Sequence, residues 1–316
     1  MRIVIVGAGA IGGYIAATLA RAGVDVAAIA RGAHLEAIRR DGITVLSSDL
    51  GQFTARIEAS DDLRSLGIFD LAILTFKAHQ WPSFLPQLAP AVQAGTTIVT
   101  LQNGVPFWFR RTPPLHTVDP NGAIGALIPD KQTIGGVVHV SGNIAEPGKI
   151  RQSGGGRFIL GAMDPAVDKG LAQLVSGMRD AGLKPEVESN IRHFTWLKLI
   201  NNASLNPVST IHEVTIHQML ANPVTRGEVH QLMLETVAVG RKLGVVDDVD
   251  LDARMTYAQR LTDVRTSMLQ DAQAHRPLEL DPIVGAVVEL GEDLGVPVPN
   301  LRAVYDELRA RTNAFS

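Results

Sequence analysis

Cysteine is absent from the chain, which removes disulfides, thiolate metal ligands and a thiol nucleophile together and fits a reducing compartment such as the cytoplasm. No long run of like charge occurs either. The 29 Lys and Arg are interspersed with 32 Asp and Glu for a formal net charge of -3, leaving no electrostatic footprint for nucleic acid. Hydrophobic runs are short: the opening Ile3-Val4-Ile5-Val6 meets Gly7 at once, far below the roughly 20 residues of a membrane span. The N-terminal segment therefore reads as a strand rather than a targeting signal, and no membrane partner is expected. The nine histidines show no ligand spacing; His212 and His217 are five apart and His139 stands alone, so no metal is expected.

What remains is an ordinary globular composition, 46% apolar and 19% charged over 316 residues. That length suits two cores, since single domains cluster near roughly 100 to 200 residues. The first part alternates strand and helix. Ile3 to Val6 is apolar and β-branched throughout, as in a strand covered on both faces. A helix from Ile11 to Ala22 stops at Gly23, and Val24 to Ala30 reads as the next strand. Leu71 to Phe76 and Thr97 to Leu101 read as further strands around a Pro-punctuated helix. From Ile134 to Leu160 the pattern turns to short β pieces, with Ser141-Gly142-Asn143 and Gly154-Gly155-Gly156 read as turns, so that the sheet finishes antiparallel. After Val187 strand signals stop; Ile191 to Leu205, Val224 to Leu243 and Asp252 to Ala274 carry helical periodicity. The expected fold is α/β: a Rossmann-type dinucleotide-binding domain over 1–187, then an all-α domain over 188–316.

Gly7-Ala8-Gly9-Ala10-Ile11-Gly12 lies between a buried-type strand and a helix, the context that makes a GxGxxG pattern informative. Its glycines permit the tight turn, the approach of a pyrophosphate and close helix–strand packing, while amides at the helix N-terminus face the anion. The end of the second strand selects the cofactor. Ala30-Arg31 stands there in place of the acid that binds a ribose 2'-hydroxyl, and a guanidinium grips a 2'-phosphate, so NADP is favoured over NAD. Arg31 also reads as the start of a solvated loop, and Arg39 and Arg40 compete for the role.

Ligands of open parallel sheets collect at strand C-termini, which draws attention to Lys77 and Asn103. By themselves they also read as an exposed strand-end lysine and a turn residue before Gly104. In the helical part Lys198, Asn202 and Asn206 are spaced four and four and share one face of an otherwise apolar helix. The stripe serves a ligand or a satisfied network between helices.

In order and spacing, Gly7 to Gly12, Lys77-Ala78-His79-Gln80, Gln102-Asn103-Gly104-Val105, Glu146-Pro147-Gly148, Trp196-Leu197-Lys198-Leu199 with Asn202 and Asn206-Pro207, and Ser267-Met268-Leu269-Gln270-Asp271 followed by Glu279 resemble the ketopantoate reductase (2-dehydropantoate 2-reductase) family over nearly the whole chain. The resemblance implies NADPH-dependent reduction of ketopantoate to pantoate in pantothenate and coenzyme A biosynthesis. It implies Lys198 as proton donor, Lys77 and Asn103 at the nicotinamide end of the cofactor, and Asn103, Asn202, Asn206 and Ser267 as substrate-binding positions. Glu279 matches an acid at the edge of cofactor and active site; Asp281-Pro282 reads instead as an N-cap and first helical residue.

Two departures bear on the substrate. Val264 replaces an asparagine usual in the family, and Thr266 a serine. The connection after Gly104 is also longer than usual, through Val105-Pro106-Phe107-Trp108-Phe109-Arg110-Arg111 to Pro120; it offers a wall or cover for the substrate, or a loop packed by its own aromatics. A paralogous reductase of another 2-keto acid is therefore the alternative, and a cofactor-binding sensor without turnover is the alternative of another class. The helical part is of a kind that commonly supports a homodimer.

Overall fold

The computed structural model describes residues 1–262 and 264–313. They form two compact units, one of 1–102 with 123–191 and one of 103–122 with the chain from 192 onward. The expected boundary at 187/188 compares with a division at 191/192, and the loop after Gln102 packs with the helices.

The first unit contains β1 (Arg2–Val6), α1 (Ala10–Arg21), β2 (Asp25–Ile29), α2 (Gly32–Asp41), β3 (Ile43–Ser47), β4 (Gly51–Ala55), β5 (Glu58–Ser60), β6 (Leu71–Leu74), α3 (Trp81–Gln93), β7 (Thr97–Thr100), α4 (Ala123–Leu127), β8 (Thr133–Glu146), β9 (Lys149–Ala162), α5 (Asp168–Asp180) and β10 (Lys184–Val187). The strands form one sheet in the order β4-β3-β9-β8-β7-β6-β1-β2-β5, with β10 also on β9. From β5 to β8 all pairs are parallel, the strand order of a doubly wound nucleotide fold whose direction reverses between β1 and β6. Ile3 to Val6 are fully buried, as a strand covered on both faces requires. The sheet wraps round α1, which touches β1, β2, β3, β4, β8 and β9.

Two expectations change here. β3, β4 and β5 were invisible in sequence, because Ile43–Ser47 and Gly51–Ala55 are short, only half-buried and joined tightly. The segments Ser141-Gly142-Asn143 and Gly154-Gly155-Gly156 are not turns but lie inside β8 and β9, whose register shifts near them, and the reversal falls at Pro147-Gly148. Gly155 has φ +73° and a Cβ there would sit 2.1 Å from the His139 carbonyl oxygen, so the glycines are bulge residues. Across that segment β9 changes neighbour on one edge, from β3 through 149–152 to β10 through 157–160. The antiparallel pairing expected over this stretch is present as β8 against β9, while the last strand of the chain, β10, adds parallel to β9.

The second unit contains α6 (Ile191–His212), α7 (Ile216–Ala221), α8 (Pro223–Lys242), α9 (Leu251–Gln259), α10 (Ser267–Gln273), a π-helical turn Asp281–Gly285 running into α11 (Ala286–Asp293), and α12 (Pro299–Asn313). The helix expected over Asp252 to Ala274 is two helices, α9 and α10, the second capped by the Thr266 hydroxyl accepting from the Leu269 amide at 3.2 Å. Trp196 is fully buried, donates to the Thr236 carbonyl at 3.0 Å and stacks on Phe109 at 5.4 Å between ring centres. The loop aromatics Phe107, Trp108 and Phe109 are therefore packed into the core of this unit. Glu289 of α11 completes the anchorage, accepting from the His116 amide at 2.6 Å, the Thr117 amide at 2.9 Å and the Thr117 hydroxyl at 2.7 Å. Among the described residues no helix is long and apolar enough to cross a membrane, and no cluster of acids or histidines is arranged to hold a metal ion.

Candidate active site

In the first unit the turn from Gly7 to Gly12 joins β1 to α1. A Cβ on Gly12 would lie 2.3 Å from both the Gly7 carbonyl oxygen and Thr75 Oγ1, and one on Gly7 would lie 2.7 Å from the Phe76 amide nitrogen. These two glycines answer to the fold itself. Gly9 is different: the nearest atom to a Cβ there is the Gly7 oxygen at 4.0 Å, so nothing inside the protein demands glycine. A bare backbone facing open space at a helix N-terminus, with no side-chain cap on the helix, fits a phosphate-bearing ligand. Ala8, Ala10 and Ile11 complete the turn, the Ala8 amide donating to the Ile29 carbonyl at 2.7 Å.

Arg31 follows β2, exposed and at the N-cap of α2. Its guanidinium lies over the Phe84 ring at 4.9 Å and donates to Ser83 Oγ at 3.3 Å, and among the described residues it has no ion-pair partner. Its competitors are occupied: Arg39 donates to the Ala59 carbonyl at 3.1 Å and pairs with Glu36, while Arg40 is bound to Asp41. The arrangement at Arg31 fits the extra phosphate of NADP. Lys77, half-buried, begins the 3-10 turn after β6, where its amide donates to Gln80 Oε1 at 3.0 Å.

In the second unit Lys198, Asn202 and Asn206 lie along α6. Lys198 Nζ donates to Asn103 Oδ1 at 2.7 Å, a contact between residues 95 apart in sequence. Asn103 is brought there by its neighbours. Gly104 has φ +83° and a Cβ on it would be 2.4 Å from the Pro282 carbonyl oxygen, while the Val105 amide donates to that same oxygen at 2.7 Å. The Asn103 segment thus clasps the π-helical turn that follows Glu279, and such turns gather at functional sites.

Burial pulls the Lys198 ammonium down to about 8, and buried Glu279 opposes that fall. Lys198 keeps a little accessible surface, but its nitrogen has lost most of its hydration. Asn206 is buried and Asn202 half-buried; among the described residues their side-chain amides make no hydrogen bond, whereas Lys198 of the same stripe does. Ser267 is the exposed first residue of α10. Asp281 is not an N-cap: it opens the π turn and accepts from the Tyr305 hydroxyl at 2.7 Å. That bond and, above all, burial push the phenol up to about 12.

The sequence missed Arg254 and Arg192. Arg254 of α9 is half-buried, donates to the Leu197 carbonyl at 3.2 Å and approaches Asn201 Oδ1 at 3.5 Å; burial lowers it from the usual arginine value. Arg192, likewise lowered by burial, lies over Phe109 at 4.5 Å. Nothing in a one-dimensional pattern distinguishes such arginines from solvated ones. Val264 is partly exposed, and the Thr266 hydroxyl is committed to its cap.

Comparison with known proteins matches residues 3–165 to the model for "Ketopantoate reductase PanE/ApbA" and residues 190–312 to that for its C-terminal domain. A 2-dehydropantoate 2-reductase of Mesorhizobium japonicum is 39% identical over 98% of this chain and 97% of its own. The structure described as "Crystal structure of a putative ketopantoate reductase from Ralstonia solanacearum MolK2" superposes with a TM-score of 0.91 at 35% identity, covering 99% of this chain and 98% of the other. A ternary structure of D-mandelate dehydrogenase with NADH and anilino(oxo)acetate shares the fold, with a TM-score of 0.86 over 100% and 99% of the two chains, at 21% identity.

Proposed function

The chain belongs to the ketopantoate reductase family, a family of oxidoreductases, and from that premise we propose that it reduces a 2-keto acid, 2-dehydropantoate first, to the 2-hydroxy acid with NADPH. The observation that carries the reading is the Lys198 ammonium held on Asn103 and balanced between burial and Glu279. NADPH when bound supplies the hydride. Gly7, Ala8, Gly9, Ala10, Ile11 and Gly12 hold its pyrophosphate, Arg31 its 2'-phosphate, and Lys77 and Glu279 belong to its nicotinamide end.

As hydride reaches the carbonyl carbon, negative charge grows on oxygen. Lys198 Nζ stabilises that charge and gives up a proton to it. A lysine near pH 8 is still charged at neutrality, yet releases its proton more readily than one at its ordinary value. Asn103 aims the ammonium, Asn202 and Asn206 offer amide groups to the substrate's oxygens, and Ser267 offers a hydroxyl to its carboxylate. The reaction supplies pantoate for pantothenate synthesis.

A second reading is favoured by the 264–266 segment. Val264 offers no polar group and the Thr266 hydroxyl is engaged in capping, so contacts to the hydroxyl of ketopantoate are fewer, and a keto acid with an apolar side chain fits as well. The test is NADPH absorbance with the purified protein over a panel of hydroxylated, branched and aromatic 2-keto acids, alongside Lys198→Ala. Turnover of ketopantoate that the variant loses supports the first reading; turnover of another acid alone supports the second; binding of NADPH without turnover of any acid overturns both.

A further inference from the structure

His34 plays no part in the chemistry above, yet both of its ring nitrogens are committed to backbone. Nε2 lies 2.9 Å from the Ala8 carbonyl oxygen, in the middle of the glycine-rich turn, and Nδ1 lies 3.0 Å from the Gly148 amide nitrogen, in the β8–β9 reversal. An amide can only donate and a carbonyl can only accept, so the contacts fix the ring: Nδ1 is the acceptor and Nε2 carries the hydrogen. The geometry points to His34 as a positioning residue for the nicotinamide cofactor, which in its neutral Nε2–H form ties the Ala8 carbonyl back and couples the cofactor turn to the Glu146-Pro147-Gly148 reversal. The inference rests on the reading that the turn holds the cofactor.

The physical need is plain. A carbonyl oxygen swung toward a pyrophosphate repels it, whereas the amides at the start of α1 attract it. The Gly7 carbonyl is held by Thr75 Oγ1 at 2.7 Å, and His34 does the same for Ala8. The far side of the clamp is firm, because the Gly148 carbonyl accepts from the Thr44 amide at 2.8 Å and a Cβ on Gly148 would stand 3.0 Å from the Ala37 Cβ. This accounts for the Glu146-Pro147-Gly148 motif, which the chemistry at Lys198 leaves unexplained.

Protonation breaks the clamp, since a charged ring offers Gly148 a second donor in place of an acceptor. His34 is the third residue of α2, where the helix N-terminus disfavours a cation, and burial lowers it from its ordinary value with the Ala8 bond acting the other way. The charged groups around it are largely paired with one another: Glu36 with Arg39 and Arg40 with Asp41 on α2, Glu146 with Lys149 at the reversal, and Glu58 of β5 with Arg2. Arg31 remains, and it too disfavours a cation; β3 and the β1–α1 turn bring no charge. The clamp is therefore intact above about pH 6.5 and is lost as pH falls through the lowered value of His34.

The test is the NADP+ dissociation constant by calorimetry, with amide hydrogen exchange of the cofactor-free protein. His34→Gln keeps a donor at the ε position for Ala8, and His34→Asn keeps only an acceptor at the δ position for Gly148. The Asn variant is expected to bind about tenfold more weakly than wild type, the Gln variant within about threefold. Acidification from pH 8 to 5.5 should weaken wild type more than the Gln variant, a difference in which the ligand's own titrations cancel. Gly148 should exchange faster in the Gln variant without ligand. Equal binding by all three proteins, or the reverse ranking, overturns the clamp. Failure of wild type to bind NADP+ or NAD+ overturns instead the reading of the turn on which it rests.

Discussion

Lys198 offers the sharpest quantitative test, because its ammonium is drawn from 10.5 to about 8 by burial. If the protonated amine is the form that completes the reduction, kcat/KM follows its charged fraction in the free enzyme. A lysine at its ordinary value is still about three-quarters charged at pH 10, but one at about 8 is only about 1% charged there. The expected profile is flat through neutrality, bends near pH 8 and falls about tenfold per unit above it. Glu279→Gln sharpens the test by its sign: the carboxylate raises Lys198, so removing its charge moves the bend to lower pH. The assay is NADPH oxidation at saturating cofactor over pH 6 to 10.5, with each point checked for enzyme stability by return to pH 7. A wild-type profile that stays flat to pH 10, or a Glu279→Gln bend at or above that of wild type, refutes the reasoning.

Lys198→Met should lose about a hundredfold or more in turnover, yet melt no lower than wild type at pH 7. The lysine's penalty on folding is in full force below about 8 and fades only as pH rises from there toward 10.5, so a melting point well below wild type at pH 7 contradicts the assigned burial. Arg31→Met should raise the KM for NADPH about tenfold while leaving NADH little changed; equal effects on both cofactors exclude a 2'-phosphate contact. Gly12→Ala should destabilise the fold by about 1–3 kcal/mol, since its Cβ would lie 2.3 Å from two oxygens, whereas Gly9→Ala, with nothing nearer than 4.0 Å, should keep its melting temperature and lose cofactor affinity. Phe109→Ala should cost about 3–5 kcal/mol in urea unfolding, because the ring is fully buried against Trp196; a cost under about 1 kcal/mol would show the loop to be loosely attached.

Much of the molecule is legible in its sequence. The order β1, α1, β2 and the glycine turn follow from local rules, an apolar β-branched run and then glycines at a fixed spacing, and these act over a few residues. The four-residue spacing of Lys198, Asn202 and Asn206 likewise follows from helical geometry alone. β3 to β5 are not legible there, because short half-buried strands carry too little periodicity, and the glycines of β9 do not reveal their role, because a bulge and a turn ask for the same residue.

The sequence by itself determined the glycine turn between β1 and α1, the polar face of α6 and the family, since each is written in residues near one another or in the order of motifs. Tertiary structure alone decided that Asn103 meets Lys198, that Glu279 sits where it can hold the lysine's charge, that the loop aromatics are core and that His34 ties two turns together. Those depend on desolvation and on hydrogen bonds between residues scores of positions apart, and neither quantity exists until the chain has closed on itself.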